Sequence, residues 1–150
     1  MGSPWATIPR MNRRAADTTA YTPTAAPALV TAHRVVAALL TVLVLLQAVV
    51  AGRSLYGPWD IEVHGWMGNG SFALGILLVV LAVAAKAGRT AIVTAAVLVV
   101  LMFAQTGLGY AGRTSADAAS WHVPLGVTIF GLAVLHAAVA LPGPAGPPRR

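Results

Sequence analysis

Four long runs of apolar residues dominate the chain, and short polar segments separate them. Each run holds about 20 residues, which is the length that a helix needs to cross the hydrocarbon core of a bilayer. None contains an acidic residue, and Arg34 is the only lysine or arginine within their limits. The predicted membrane spans are residues 29–52, 64–85, 90–110 and 122–141.

Helical structure follows for these spans because a segment inside a bilayer must satisfy its own backbone hydrogen bonds. The connections are short. Gly57 and Pro58 break the first connection, and Ser120 is the predicted N-cap of the last helix. We therefore expect an all-α integral membrane protein, an up-down-up-down four-helix bundle.

An internal repeat relates the two halves of the chain. A shift of 58 residues superimposes the first two spans on the last two. The bundle is thus predicted to be a duplicated helical hairpin, in which the second and fourth helices run parallel and lie diagonally. The matched pairs are Gln47 with Gln105, His64 with His122, Gly68 with Gly126, and Phe72 with Phe130.

Composition supports a membrane location and narrows the chemistry. Hydrophobic residues make up 57% of the chain and charged residues only 9%, against about a quarter in ordinary soluble domains. The absence of cysteine excludes disulfides, thiolate metal sites and haem attached through a C-x-x-C-H motif. The net charge of +6 is scattered and forms no basic stripe with interleaved aromatic residues. The expected partner is therefore the lipid bilayer, with no nucleic acid.

The distribution of charge predicts the orientation. Most basic residues lie before the first span, between the second and third spans, and after the fourth. By the positive-inside rule, both termini are cytoplasmic and residues 53–63 and 111–121 lie outside the cell membrane. Residues 1–28 and 142–150 are expected to be disordered cytoplasmic tails, and Met11 is an alternative start. The first apolar run is longer than the core of a cleaved signal peptide, which favours a retained span.

Two histidines are the candidate ligands. His64 and His122 share depth, helix direction and a glycine four residues later, and ionisable residues at spanning depth are functional candidates. The alternative is that they are interfacial or helix-packing polar groups. Diagonal helix axes lie about 11–14 Å apart, so two imidazoles can share one iron. Two histidines are too few for zinc, which favours a b-type haem with two axial histidines.

Residues near the histidines suit a flat ligand. Gly68 and Gly126 would leave room beneath a porphyrin, although small residues are also usual in tightly packed membrane helices. Gln47 and Gln105 could bond the second imidazole nitrogens or bond each other.

Two arginines border the same end of the spans, and they have two interpretations. Arg53 and Arg113 could pair with haem propionates. They could equally anchor helix ends at lipid headgroups, as long basic side chains commonly do.

Two further histidines raise the possibility of a second haem. His136 lies fourteen residues beyond His122, hence about 21 Å deeper. His33 is the candidate partner, but counting from Gly52 places it about 28 Å below the outer end of its helix. The two rings should therefore miss each other in depth. We predict one haem, retained when either His33 or His136 is changed to alanine.

Three motifs resemble the haem A synthase family, and also a family of short four-helix bacterial membrane proteins similar to half of it. They are "QTGLGYAG", "EVHGWMG" and "WHVPLG", and the resemblance covers roughly residues 33–141. It implies one haem per four-helix unit, held on the outer side by His64 and His122. Haem A synthases carry two such units, and their acidic residue stands three positions before the first histidine with an arginine after it. Here Glu62 stands two before and Gly65 follows, so the resemblance by itself does not assign the oxidation of haem to this chain.

The sequence thus predicts a membrane protein that binds one haem b for electron transfer or haem handling, beside a respiratory or haem-delivery membrane protein. The alternative is a haem-free structural or assembly subunit of a larger membrane complex. A small transporter or channel is less favoured, because the spans lack acidic residues and broken helices.

Overall fold

A computed structural model describes residues 26–141, and this part of the chain is almost entirely α-helical. The predicted tails and the alternative start at Met11 lie outside the described residues, except for residues 26–28. Each helix is long and apolar enough to cross a membrane, as predicted for a multi-pass membrane protein. The helices are α1 (Pro27–Tyr56), α2 (Ile61–Ala84), α3 (Arg89–Ala111) and α4 (Ala116–Ala140).

The helices form the predicted up-down-up-down bundle. Each helix packs against two neighbours, in the order α1, α2, α3, α4 and back to α1. Within residues 26–141, the diagonal pairs α1/α3 and α2/α4 have no Cα atoms within 8 Å of each other. The turns at 57–60 and 112–115 define what we call the two-loop end, and the turn at 85–88 defines the one-loop end.

The internal repeat is visible in the packing. Inward-facing positions of α1 recur in α3, and those of α2 recur in α4, at the 58-residue offset. The duplicated hairpin is therefore a structural unit as well as a sequence pattern. The equivalent buried pairs include Ala37 with Ala95, Leu40 with Leu98, Gly75 with Ala133, His33 with Ala91, and Leu78 with His136.

The start of α4 corrects one sequence prediction. Ser120 is not the N-cap: it lies inside the helix and donates from Oγ to the carbonyl of Asp117. Ser115 caps α4 instead, because its backbone is extended and its side chain accepts a hydrogen bond from Ala118 N at 3.3 Å. His122 consequently lies nearly two turns inside its helix, and His64 lies almost one turn inside α2.

Candidate functional site

His64 and His122 meet on the bundle axis near the two-loop end. They come from the diagonal helices α2 and α4, and their ring centroids are 5.9 Å apart with an angle of 71° between the ring planes. Both residues are half-buried. The structure thus brings together the two histidines that the sequence paired by depth.

A backbone carbonyl orients one of these rings. Nδ1 of His122 lies 3.1 Å from the carbonyl oxygen of Gln105 on α3. A carbonyl oxygen can only accept, so Nδ1 carries the proton, and Nε2 of the neutral ring keeps its lone pair. His64 faces the backbone of Gln47 in the equivalent way, but its Nδ1 completes no hydrogen bond. The glutamine side chains make neither of the two predicted hydrogen bonds. The bond to the second nitrogen of His122 is made instead by the backbone carbonyl of Gln105.

The two glycines of the motif accommodate the glutamine side chains. A Cβ atom on Gly68 would lie 3.2 Å from Nε2 of Gln47, and one on Gly126 would lie 3.0 Å from Nε2 of Gln105. Gly109 is a third close approach, since a Cβ there would lie 3.0 Å from Cε1 of His122. The sequence indicated the first two through the repeat, whereas Gly109 has Ala51 as its equivalent and was missed.

Three buried polar atoms in this layer have no hydrogen-bond partner within residues 26–141. They are Oε1 of Gln47, Nδ1 of His64 and Oε1 of Gln105. Buried polar groups in native proteins are nearly always paired, and leaving one unpaired costs about 1–3 kcal/mol. All three atoms belong to the His64–His122 layer, which therefore has the hydrogen-bonding capacity of a site for a polar or metal-containing ligand.

The two predicted arginines lie at the rim of this layer. Both are exposed, and each stacks on an aromatic ring: Arg53 on Trp59 at 5.7 Å and Arg113 on Tyr110 at 5.4 Å. The Arg113 guanidinium also lies 3.5 Å from the place of a Cβ on Gly65, next to His64. Arg113 is thus close to the site, whereas Arg53 folds over its own turn.

A second histidine pair lies near the one-loop end, and it overturns the predicted mismatch in depth. Nε2 of His33 lies 3.2 Å from Nε2 of His136, and Nδ1 of His136 lies 2.8 Å from Oγ1 of Thr94. Oγ1 of Thr94 lies in turn 2.9 Å from the carbonyl of Thr90. Thr94 was not predictable from the repeat, because its equivalent in the first half is Val36.

The mismatch was predicted from the wrong reference point. Gln105 lies level with His122, to which its carbonyl is bonded, and the repeat places Gln47 at the same level. His33 is fourteen residues from Gln47, and His136 is fourteen residues from His122. Both therefore lie about 21 Å from the first layer. Gly52 was a poor reference because it lies five residues beyond Gln47, hence about 7.5 Å above the level of His122.

The two histidine layers differ in how well their polar atoms are satisfied. The His33–His136 rings are 2% and 0% exposed, and they bond to each other. Among the residues that the structure describes, the buried side-chain atoms without a hydrogen-bond partner all lie in the His64–His122 layer. Within the described residues, no cluster of three or more histidine, cysteine or acidic side chains could hold a bare metal ion.

Comparison of the chain with known protein families, with curated proteins and with solved structures finds no match.

Proposed function

We propose that this integral membrane protein binds one b-type haem through His64 and His122, for electron transfer or haem handling. The observation that supports it best is the distance of 5.9 Å between the two ring centroids. An iron bonded to both imidazoles at about 2 Å would place the centroids roughly 6 Å apart. The separation of the two rings therefore suits an iron held by both histidines.

The hydrogen bonding of the site suits the same ligand. An iron ligand must be a neutral imidazole with a free lone pair, and histidine ligands commonly donate their other nitrogen to a carbonyl or carboxylate. His122 meets both conditions through Gln105. The unpaired Nδ1 of His64 can make the equivalent bond to Gln47 after a small shift of the ring.

The bound haem would supply one-electron chemistry at iron, with a potential set by its axial ligands and surroundings. The chain's own residues hold and orient the imidazoles from two diagonal helices. Beneath them, the buried side chains of Leu40, Leu98, Met102 and Ile129 form a dry layer that excludes water. The only acidic side chains in the four helices are Glu62 and Asp117, in the first turns of α2 and α4, so none lies at depth in the bundle to stabilise a cationic substrate.

We place this site on the outer side of the cell membrane, with both chain termini cytoplasmic. The basic residues Arg34, Lys86 and Arg89 lie at the one-loop end, as the positive-inside rule requires of a cytoplasmic face. A respiratory or haem-delivery membrane protein is the proposed partner, and the resemblance to half of a haem A synthase supports this assignment.

The absorption spectrum of the purified protein tests the proposal. We expect a Soret band and sharp reduced bands of low-spin haem. His64→Ala or His122→Ala should abolish these bands or leave a weak high-spin remnant, whereas the matched control His33→Ala should keep them. A colourless preparation from haem-replete cells that added haem cannot colour would favour the haem-free assembly subunit instead.

The glycines provide a second arm of the same experiment. Gly68→Leu or Gly126→Leu should lower the haem content because the new side chain displaces a glutamine amide into the site. Gly107→Leu is the matched control, since a Cβ at Gly107 meets no atom within 4 Å. Equal loss of haem in all three variants would contradict a specific role for the motif glycines.

A further inference from the structure

We call the line of contact between two neighbouring helices a seam, and the half of the bundle nearer the two-loop end its two-loop half. In this half, side-chain contacts hold α2 and α3 together. Polar and aromatic side chains cross their seam at three levels. These contacts are the hydrogen bond from Asn69 Nδ2 to Tyr110 OH (3.0 Å), the approach of the Arg113 guanidinium to Gly65 (3.5 Å to the place of a Cβ), and the ring contact of Phe72 with Phe103 (centroids 6.2 Å apart).

The equivalent half of the seam between α1 and α4 lacks all three contacts. The repeat replaces their polar members by apolar or absent side chains, and in residues 26–141 no hydrogen bond crosses this half of the seam. At Gly52, a Cβ would meet no atom within 4 Å. The equivalent pairs are Val127 with Gly52, Val123 with Leu55, and Phe130 with Leu45.

The polar contacts of the α1–α4 seam lie instead at the one-loop half. Three hydrogen bonds join α1 to α4 there, and the equivalent positions of α1 in α3 are the apolar Ile92, Ala91 and Val99. The α1–α4 seam is therefore clamped at its one-loop half and unclamped at its two-loop half. The clamp consists of Arg34 Nε to Ala140 O (2.9 Å), His33 Nε2 with His136 Nε2 (3.2 Å), and Thr41 Oγ1 to Ala133 O (3.2 Å).

This asymmetry indicates which of these two seams separates more easily at the two-loop half. Lipid tails are as apolar as valine and leucine, so separating two apolar helix faces in a bilayer loses van der Waals packing but meets no hydrophobic penalty, whereas separating hydrogen-bonded faces breaks those bonds as well. The two-loop half of the α1–α4 seam can therefore open while the clamp acts as a hinge. The opening would lead from the lipid directly to the His64–His122 layer.

We propose that the flat ligand of the His64–His122 site enters laterally from the bilayer through the two-loop half of the α1–α4 seam. The inference rests on the proposed function in one respect, which is that the ligand is a tetrapyrrole. The ring of such a molecule is apolar and its carboxylates are polar, so it lies in a bilayer with the ring among the lipid tails and the carboxylates at the headgroups. A lateral route at the two-loop end therefore keeps the ring out of water. The opening of the seam does not depend on the ligand, because it is inferred only from the contacts across the α1–α4 and α2–α3 seams.

The absence of cysteine in the chain allows the seams to be compared directly with two pairs of spin labels. Cysteines at Val49 and Thr128 report on the α1–α4 seam, and those at the repeat-equivalent Gly107 and Gly70 report on the α2–α3 seam; all four positions are exposed. In ligand-free protein in lipid nanodiscs, we expect the distance distribution of the first pair to be at least twofold broader. Equal widths, or a broader second pair, would overturn the opening.

The same cysteine pairs test ligand access. A reducible bifunctional thiol reagent across the 49/128 pair should slow the uptake of added haem at least tenfold, and reductant should restore it. The 70/107 link should leave uptake unchanged. Equal slowing by both links would overturn the route. If the unlinked protein takes up no haem, the proposed function and the named ligand are wrong. Equal widths of the two spin-label distance distributions refute only the opening of the α1–α4 seam.

Discussion

The contact between His33 and His136 has an apolar counterpart in the other half of the molecule. Their repeat equivalents are Ala91 and Leu78, which are 1% and 0% exposed. The same backbone geometry thus accepts a hydrogen-bonded imidazole pair on one side and a small-large aliphatic pair on the other. Burial is similar in both, so the histidines are not needed to fill space.

This comparison gives a prediction for the His33–His136 pair. His136→Leu alone leaves His33 buried without its partner and should lower the free energy of unfolding by about 1–3 kcal/mol. The double variant His33→Ala, His136→Leu reproduces the Ala91–Leu78 combination and should unfold within about 1 kcal/mol of the parent. Unfolding in detergent followed by circular dichroism measures both, and haem content should be unchanged. A double variant less stable than the single one would refute this account.

The residues of the candidate site were predictable to different degrees. His64 and His122 follow from depth and repeat, because both quantities can be counted along a helix. The bond from His122 to the carbonyl of Gln105 could not be predicted, since it depends on the register between α3 and α4. The packing of the glutamine side chains against Gly68 and Gly126 likewise depends on the register between neighbouring helices.

The number, order and alternating direction of the helices were predictable from the sequence, but some helix ends were predicted incorrectly. The apolar run of α4 begins near His122, yet the helix begins at Ala116. Hydropathy marks where the chain enters the bilayer, whereas the cap decides where the helix starts. The misplaced depth of His33 has the same origin, because a helix end was used where a contact between helices was needed.

The cap of α4 can be tested with a matched pair of serines. Ser115→Ala removes the acceptor for Ala118 N and should destabilise the protein by about 1 kcal/mol. Ser120→Ala removes only a bond from the side chain to Asp117 O within the helix and should change stability by less than about 0.5 kcal/mol. Thermal unfolding in one detergent compares the two. A larger effect at Ser120 would restore the original assignment of the cap.

For the whole molecule, the orientation in the membrane is a prediction from charge. Reporter fusions at Gly57 and Ala87 should lie on opposite sides, with Gly57 outside and Ala87 in the cytoplasm, because Lys86 and Arg89 flank the one-loop turn. Alkaline phosphatase and green fluorescent protein activities distinguish the sides. Both reporters on one side would exclude the four-span arrangement, and exchanged sides would place the His64–His122 layer at the cytoplasmic face.

The duplicated hairpin has a consequence for how such a site can arise. Each hairpin carries one imidazole, one glutamine and one glycine, which is half of the residues that meet at the two-loop end. Two copies of a single hairpin, related by a two-fold axis along the membrane normal, would bring together the same set. A homodimer of two-helix subunits is thus a sufficient ancestor for this layer. Joining the subunits in one chain would then leave each half free to diverge. The α1–α4 seam would thus acquire its contacts at the one-loop end, and the α2–α3 seam at the two-loop end.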